Sequence, residues 1–277
     1  MTLLPLPEPY NFELSTERFR TFGPDLANLW REGGLHRVVG GRELRIEAAP
    51  GGADVEPLDE ETEPVARKLL GAEFELEPFY EWAEGDGVLR EVVPRLAGFR
   101  PPLAPDPHET LVTSITAQQV SLFAAFAIRN RLIERFGERV ENAYSFPTRE
   151  RLVGAGDEEL TDLGFSRRKA EYVLGLARSD LDLEGLGYLP DDEVKAILVT
   201  QRGLGEWTAD WFLARHLARP QAWPAGDLGL VKAVSMFYFG GRKLAIAEVR
   251  EFGRRLDPFQ NLSAHYLLTA LRVLPSA

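Results

Sequence analysis

Four prolines within eight residues, Arg100-Pro101-Pro102-Leu103-Ala104-Pro105-Asp106-Pro107, constrain this chain more than any other feature. Proline has no backbone N–H, locks φ and pushes the preceding residue toward extended backbone, so no helix or central strand runs through such a segment. A stiff, extended connector is expected here, dividing a domain at residues 1–100 from a second at 101–277. Upstream, residues 35–39 and 42–46 read as two strands about the turn Gly40-Gly41. Helices are suggested at 60–70 and 88–96. Downstream, apolar residues recur at three- and four-residue spacings over 108–117 and 120–136, interrupted by the polar pair Gln118-Gln119. Further helices are expected at 148–153, 157–163, 167–177, 191–199, 206–216, 228–237, 246–256 and 264–273. Asp157, Ser166 and Asp191 stand where N-caps belong. The fold class that follows is an α+β N-terminal domain with a small antiparallel sheet, then an all-helical domain.

Composition narrows the chemistry. The chain has no cysteine, which excludes disulfides, thiolate metal sites, iron–sulfur clusters and a thiol nucleophile. The longest apolar run, Leu122 to Ile128, is far short of a membrane span. The first basic residue is Arg18, so no secretory n-region is recognised and a cytoplasmic protein is expected. A net charge of −11 argues against nucleic acid at first sight. Residues 1–40, 41–99 and 100–277, however, carry nets of −1, −9 and −1. The excess acid lies in one stretch, read as a solvated face, and the charge neither supports nor excludes DNA as a partner.

Two local patterns carry chemistry. In residues 197–209 a helix is expected to end near Thr200 and another to begin at about Glu206, with Gly203-Leu204-Gly205 between them. The glycines permit positive φ and close approach to the backbone, and Leu204 can anchor the turn in a core. The next helix presents its unpaired N–H groups and positive dipole end at the same spot, which suits an anion. An ordinary tight turn between helices would use the same residues. Twenty-two residues past Gly205, the loop Trp223-Pro224-Ala225-Gly226 ends in Asp227 and a helix follows. By local rules Asp227 is an N-cap.

With Thr208-Ala209 following, the glycine turn resembles the helix-hairpin-helix element of DNA-binding proteins, which grips phosphates through main-chain amides. Together with the Pro/Gly loop and Asp227 it resembles the HhH-GPD superfamily of DNA glycosylases. Leu111-Val112-Thr113-Ser114-Ile115-Thr116-Ala117-Gln118-Gln119-Val120-Ser121 and Leu163-Gly164-Phe165-Ser166-Arg167-Arg168-Lys169-Ala170 are similar to blocks of its 3-methyladenine DNA glycosylase II (AlkA) branch. Pro9-Tyr10-Asn11-Phe12 resembles the opening of that branch's N-terminal β-rich domain. The resemblance spans nearly the whole chain, most strongly from 108 to 240.

The resemblance implies double-stranded DNA with damaged bases as the partner, a monomer, and base flipping before chemistry. It assigns Asp227 as the catalytic carboxylate, and Gly203, Leu204, Gly205 and Thr208 to the DNA backbone. Gln119 takes the position of the wedge that fills the gap in the duplex, or is merely a helix-ending glutamine. Bifunctional members place a nucleophilic lysine two residues past the second glycine; that position is Trp207, which implies hydrolysis without a lyase cut. Trp207 and Trp211, one helical turn apart, would line the base pocket, an electron-rich wall suited to cationic alkylated purines. Two tryptophans at that spacing are also ordinary core. No cofactor is implied, apart from a structural Na⁺ or K⁺ at the hairpin held by the carbonyls of Val199, Gln201 and Leu204. Leu271 stands where the branch has a pocket tryptophan. Arg167-Arg168-Lys169 and Arg242-Lys243 are candidate phosphate contacts or plain solvated charge. Two other readings stay open: a non-catalytic helix-hairpin-helix protein that recognises distorted duplex, and a glycosylase for oxidised or deaminated bases.

Overall fold

The computed structural model describes residues 1–274. The chain begins with β1 (Thr2–Pro5), the short helices α1 (Phe12–Thr16) and α2 (Arg18–Thr21), and strands β2 (Leu29–Arg31), β3 (Gly34–Val39), β4 (Arg42–Ala49) and β5 (Gly52–Glu56). These form one antiparallel sheet in the order β1-β5-β4-β3-β2. The expected hairpin is present: Val39 faces Arg42, and Gly40 and Gly41 have φ of 55° and 73°. A two-residue turn that matches strand twist needs positive φ at both positions, hence the two glycines. Leu35, Ile46 and Val55 lie side by side across three strands and are fully buried. Against them pack Leu69 and Leu70, at and just past the end of α3 (Thr62–Leu69). Strands β1, β2 and β5 were not foreseen. The first ends in proline, the second has three residues, and the third reads Gly-Ala-Asp-Val-Glu.

Next come α4 (Glu77–Ala83), α5 (Leu89–Val92), α6 (Pro107–Ala117) and α7 (Leu122–Phe136), then a two-residue-per-strand hairpin, β6 (Arg139–Val140) with β7 (Ala143–Tyr144). Helices α8 (Arg149–Val153), α9 (Asp157–Asp162), α10 (Arg167–Arg178), α11 (Asp191–Thr200), α12 (Glu206–Arg215), α13 (Leu228–Phe239), α14 (Ile246–Gly253) and α15 (Gln260–Val273) complete the domain. Each corresponds to an expected helix, with ends moved by a few residues. Ser166 caps α10 as expected, its hydroxyl accepting from the Lys169 N–H at 3.3 Å. Asp157 and Asp191 are instead the first helical residues, after Gly156 and Pro190. There they favour the helix electrostatically, as negative charge beside the positive dipole end.

Packing divides the chain earlier than the prolines do. Phe74, Phe79, Leu89 and Phe99 belong to the core of the helical domain, whereas the core under the sheet ends at Leu70. The proline segment is extended as expected but is not a free linker. Arg100 and Leu103 are buried, the Leu103 N–H donates to the Lys68 carbonyl at 2.8 Å, and the Ala104 N–H donates to the Arg215 carbonyl at 2.7 Å. A buried ionic network also ties the parts together. Arg37 of β3 donates to Glu109 of α6 at 2.6 Å, and Arg129 of α7 bridges Glu109 and Asp25. Among the described residues no helix is long and apolar enough to cross a membrane.

Candidate active site

The hairpin joins α11 to α12. Gly203 has φ of 94°, and a Cβ there would stand 2.3 Å from the Tyr172 ring, so geometry and space both demand glycine. Gly205 differs: its backbone is extended and a Cβ would meet nothing within 4 Å. Its missing side chain therefore leaves the start of α12 open from outside. Leu204 is buried, as an anchor should be. Gly205 caps α12 without a side chain, and the amides of residues 206–208 find no acceptor among the described residues. Glu206 would place negative charge beside these amides, but Arg250 pairs with it at 2.7 Å. Thr208 has its side chain buried on the cavity side, so only its main-chain amide is available to a phosphate. Lys169 is spent on the Thr116 carbonyl at 2.8 Å, and Arg242 pairs with Glu248 at 2.9 Å. Neither is a free phosphate contact.

Asp227 is the N-cap of α13 and more than that. Its Oδ1 accepts the Leu230 N–H at 3.0 Å, while Oδ2 accepts the indole N–H of Trp211 at 3.1 Å and of Trp207 at 3.4 Å. One helical turn sets both tryptophans on the same face of α12, and that face meets the carboxylate. The loop before it is held rigidly. Trp223 lies against Gly253, where a Cβ would come within 2.5 Å of the indole, and donates to the Val249 carbonyl at 2.9 Å. The Asp227 N–H donates to the Pro224 carbonyl at 2.9 Å. Gly229 makes room as well, since a Cβ there would stand 3.0 Å from Oδ1.

A cavity of ≈ 990 Å³ opens in front of this carboxylate. Trp207, Trp211, Thr208, Gln119, Asp227 and Leu271 all line it. Gln119 is exposed in the turn between α6 and α7 with φ of 56°, a left-handed geometry uncommon outside glycine. It does not simply end a helix. Its neighbour Gln118 donates to the Gly203 carbonyl at 2.8 Å and so clamps that turn to the hairpin, a link not foreseen. The expected electron-rich wall is only partly free: the Arg215 guanidinium covers Trp211 at 3.7 Å from the ring centre.

Three cavity residues escaped the sequence reading. Arg215 follows Trp207 and Trp211 at helical spacing, a signal that was available. Burial first, then Arg18, pushes it well below its ordinary value, with Asp227 opposing. His265 of α15 is held neutral, well below the usual imidazole range, by burial and then by Arg215, Arg18 and Arg272. Arg18 carried no signal, because only the packing of α1 and α2 on the helical domain brings it here.

Residues 112–256 match the profile of the HhH-GPD superfamily base excision DNA repair protein. A DNA-3-methyladenine glycosylase of Bacillus subtilis is 30% identical over 205 residues, covering 71% of this chain and 68% of the relative. DNA-3-methyladenine glycosylase 2 of Escherichia coli is 29% identical over 182 residues, covering 64% of this chain and 62% of that one. The structure of a 3-methyladenine DNA-glycosylase from Archaeoglobus fulgidus superposes with a TM-score of 0.89 at 29% identity, covering 99% of each chain. An 8-oxoguanine glycosylase/lyase of Clostridium acetobutylicum, at 19% identity and a TM-score of 0.80, shares the fold. The N-terminal sheet followed by the helical domain agrees with these likenesses: the chain belongs to the HhH-GPD superfamily of base excision DNA repair proteins.

Proposed function

We propose that this protein is a monofunctional DNA glycosylase. It would flip an alkylated base of the 3-methyladenine or 7-methylguanine type out of duplex DNA and hydrolyse its N-glycosidic bond. The observation that carries the reading is Asp227, a carboxylate fixed by three N–H donors on the wall of a cavity with ample room for a flipped base. The relatives named for 3-methyladenine supply the substrate class.

Breaking the bond leaves positive charge on the sugar, and a rigid carboxylate stabilises it with no reorganisation. Three donors occupy three of the roughly four lone-pair sites of Asp227, which leaves one for the attacking water. Trp207 stands where a Schiff-base lysine would be needed, and no lysine lines the cavity among the described residues. Gln119, at the mouth beside the hairpin, fills the vacated space in the duplex. The open amides of 206–208 hold phosphate, which lets an acidic chain bind DNA. The hairpin carbonyls fit a monovalent cation: those of Val199 and Leu204 accept no hydrogen bond among the described residues, and that of Gln201 accepts only the Leu204 N–H at 3.1 Å. A bound cation adds one positive charge beside the phosphate-facing turn.

The test uses duplexes with single defined lesions, incubated with wild type or Asp227→Asn and then treated with alkali. Alkali-dependent breaks with wild type, lost in the variant, are expected. Breaks without alkali would overturn the monofunctional assignment. No break at any alkylated base would leave the non-catalytic binder as the better reading.

A further inference from the structure

The turn between α6 and α7 carries more than Gln119. Val120, Leu122 and Phe123 follow it, large apolar side chains that are 40%, 46% and 66% exposed. A contiguous apolar cluster left in water marks a surface that another molecule covers. The cluster is held rigidly. Ser121 caps α7 by accepting the Ala124 N–H at 3.2 Å, and the Phe123 ring stands edge-on to Phe22, which in turn stacks on Phe126. Val120 and Leu122 lie on the rim of the cavity. Phe123, one position on and about 100° further round the helix, faces outward from it. Charge points to the occupant. From Thr110 to Ile133 there is no acidic residue, although the chain carries 43. A face kept free of carboxylates in an acidic protein suits a polyanion. The same turn is tied to the phosphate-facing hairpin by the bond from Gln118 to the Gly203 carbonyl.

We propose that Phe123 is a stacking platform for the base left unpaired in the undamaged strand, opposite the flipped nucleotide. The proposal rests on the glycosylase reading above and adds the strand that reading leaves unattended. The hairpin amides and Asp227 engage the damaged strand, whose flipped nucleotide enters the cavity. The chain runs from Gln118 at the hairpin, through Gln119 at the gap, to Phe123 outside the rim, and so passes from the damaged strand toward the other. A base without its partner exposes a face to water, and an aromatic ring already held in place covers that face at little entropic cost. Stacking accepts any base, because each has a π-face. The contact therefore holds the opened duplex without reading which base stood opposite the lesion.

The probe is a duplex with a tetrahydrofuran abasic analogue opposite thymine, which needs no bond cleavage. Permanganate attacks the open face of an unstacked thymine, so its reaction reports stacking directly. Wild type and Phe123→Tyr are expected to protect that thymine, whereas Phe123→Ala and Phe123→Leu leave it reactive. Phe123→Ala should bind this duplex about tenfold more weakly in fluorescence anisotropy, the size of one lost base–aromatic stack, and bind undamaged duplex as wild type does. Its melting temperature should match wild type, since most of the ring is already in water. Thymine equally protected by wild type and Phe123→Ala, or reactive with both, overturns the assignment and leaves the glycosylase reading standing. A concentration-dependent dimer broken by Phe123→Ala would then give this surface to a second copy of the chain. Protection lost in Phe123→Ala, with no excision by wild type at any lesion, keeps the stacking contact and overturns the glycosylase reading.

Discussion

At the scale of single residues, Asp227 holds two roles because its oxygens face different ways. Oδ1 serves the helix that follows, and Oδ2 serves two indoles of the helix after the hairpin. Trp211→Phe keeps the aromatic platform under Arg215 but deletes one N–H to the carboxylate. A hydrogen bond to a charged group contributes about 1.5–3 kcal/mol. Excision kcat is therefore expected to fall about tenfold with little change in KM, read by single-turnover and steady-state kinetics together. Asp227→Asn should lower kcat by about 10²–10³-fold, the range for losing a preorganised charge-stabilising group. It would also cost about 1–3 kcal/mol in urea denaturation, because its amide NH₂ would oppose the indole N–H groups.

At the scale of elements, the two hairpin glycines separate structure from recognition. Gly203→Ala forces a side chain to positive φ and into Tyr172, and should destabilise the protein by about 1–3 kcal/mol. Gly205→Ala has an unstrained backbone and open space around it. It should melt like wild type yet bind duplex DNA more weakly, which fluorescence anisotropy would show; unchanged affinity would remove this turn from the DNA interface. These elements were largely legible beforehand. The two glycines, the helix ends and the periodicity of α6 to α15 are local properties, written in spacing and in residues with special φ. Strands β1, β2 and β5 were not legible: the edge strands β1 and β2 are short, the inner strand β5 carries Asp54 and Glu56, and such strands are specified by their partners rather than by their own pattern.

At the scale of the whole molecule, the buried network of Arg37, Glu109, Arg129 and Asp25 joins the sheet to the helices that carry Gln119. Burial alone would raise the Glu109 carboxyl, but Arg37 and Arg129 outweigh it and hold it at about 2. A depressed carboxylate contributes stability that is present above its ordinary value of 4.5 and lost as pH falls toward 2. His108 and His216 are lowered to about 4, chiefly by burial, so the unfolded chain takes up their protons first. Their contribution is full above 6.5 and declines as pH falls through 4. Denaturant titrations should thus show stability declining in two overlapping ranges on acidification. Glu109→Gln should cost about 3 kcal/mol at neutral pH, because it leaves buried guanidiniums short of a partner. It should also flatten the range below pH 4.5 and leave the histidine range in place; an unaltered acid profile would show that the network does not couple to folding.

The sequence by itself determined the two-part architecture, the hairpin, the carboxylate after the Pro/Gly loop and the tryptophan in place of a lysine. Each of these depends on residues close together along the chain. What surrounds Asp227 was decided only by tertiary structure. The turn bearing Gln119 is clamped to the hairpin through Gln118, eighty-five residues from its partner Gly203. Arg18 reaches the cavity from the first domain, and His265 from the last helix. Spacing in sequence says nothing about contacts between segments so far apart, because such contacts follow from which faces bury each other. The Asp227 carboxylate was visible from the sequence, whereas the Arg18 and His265 side chains that share its cavity required the fold.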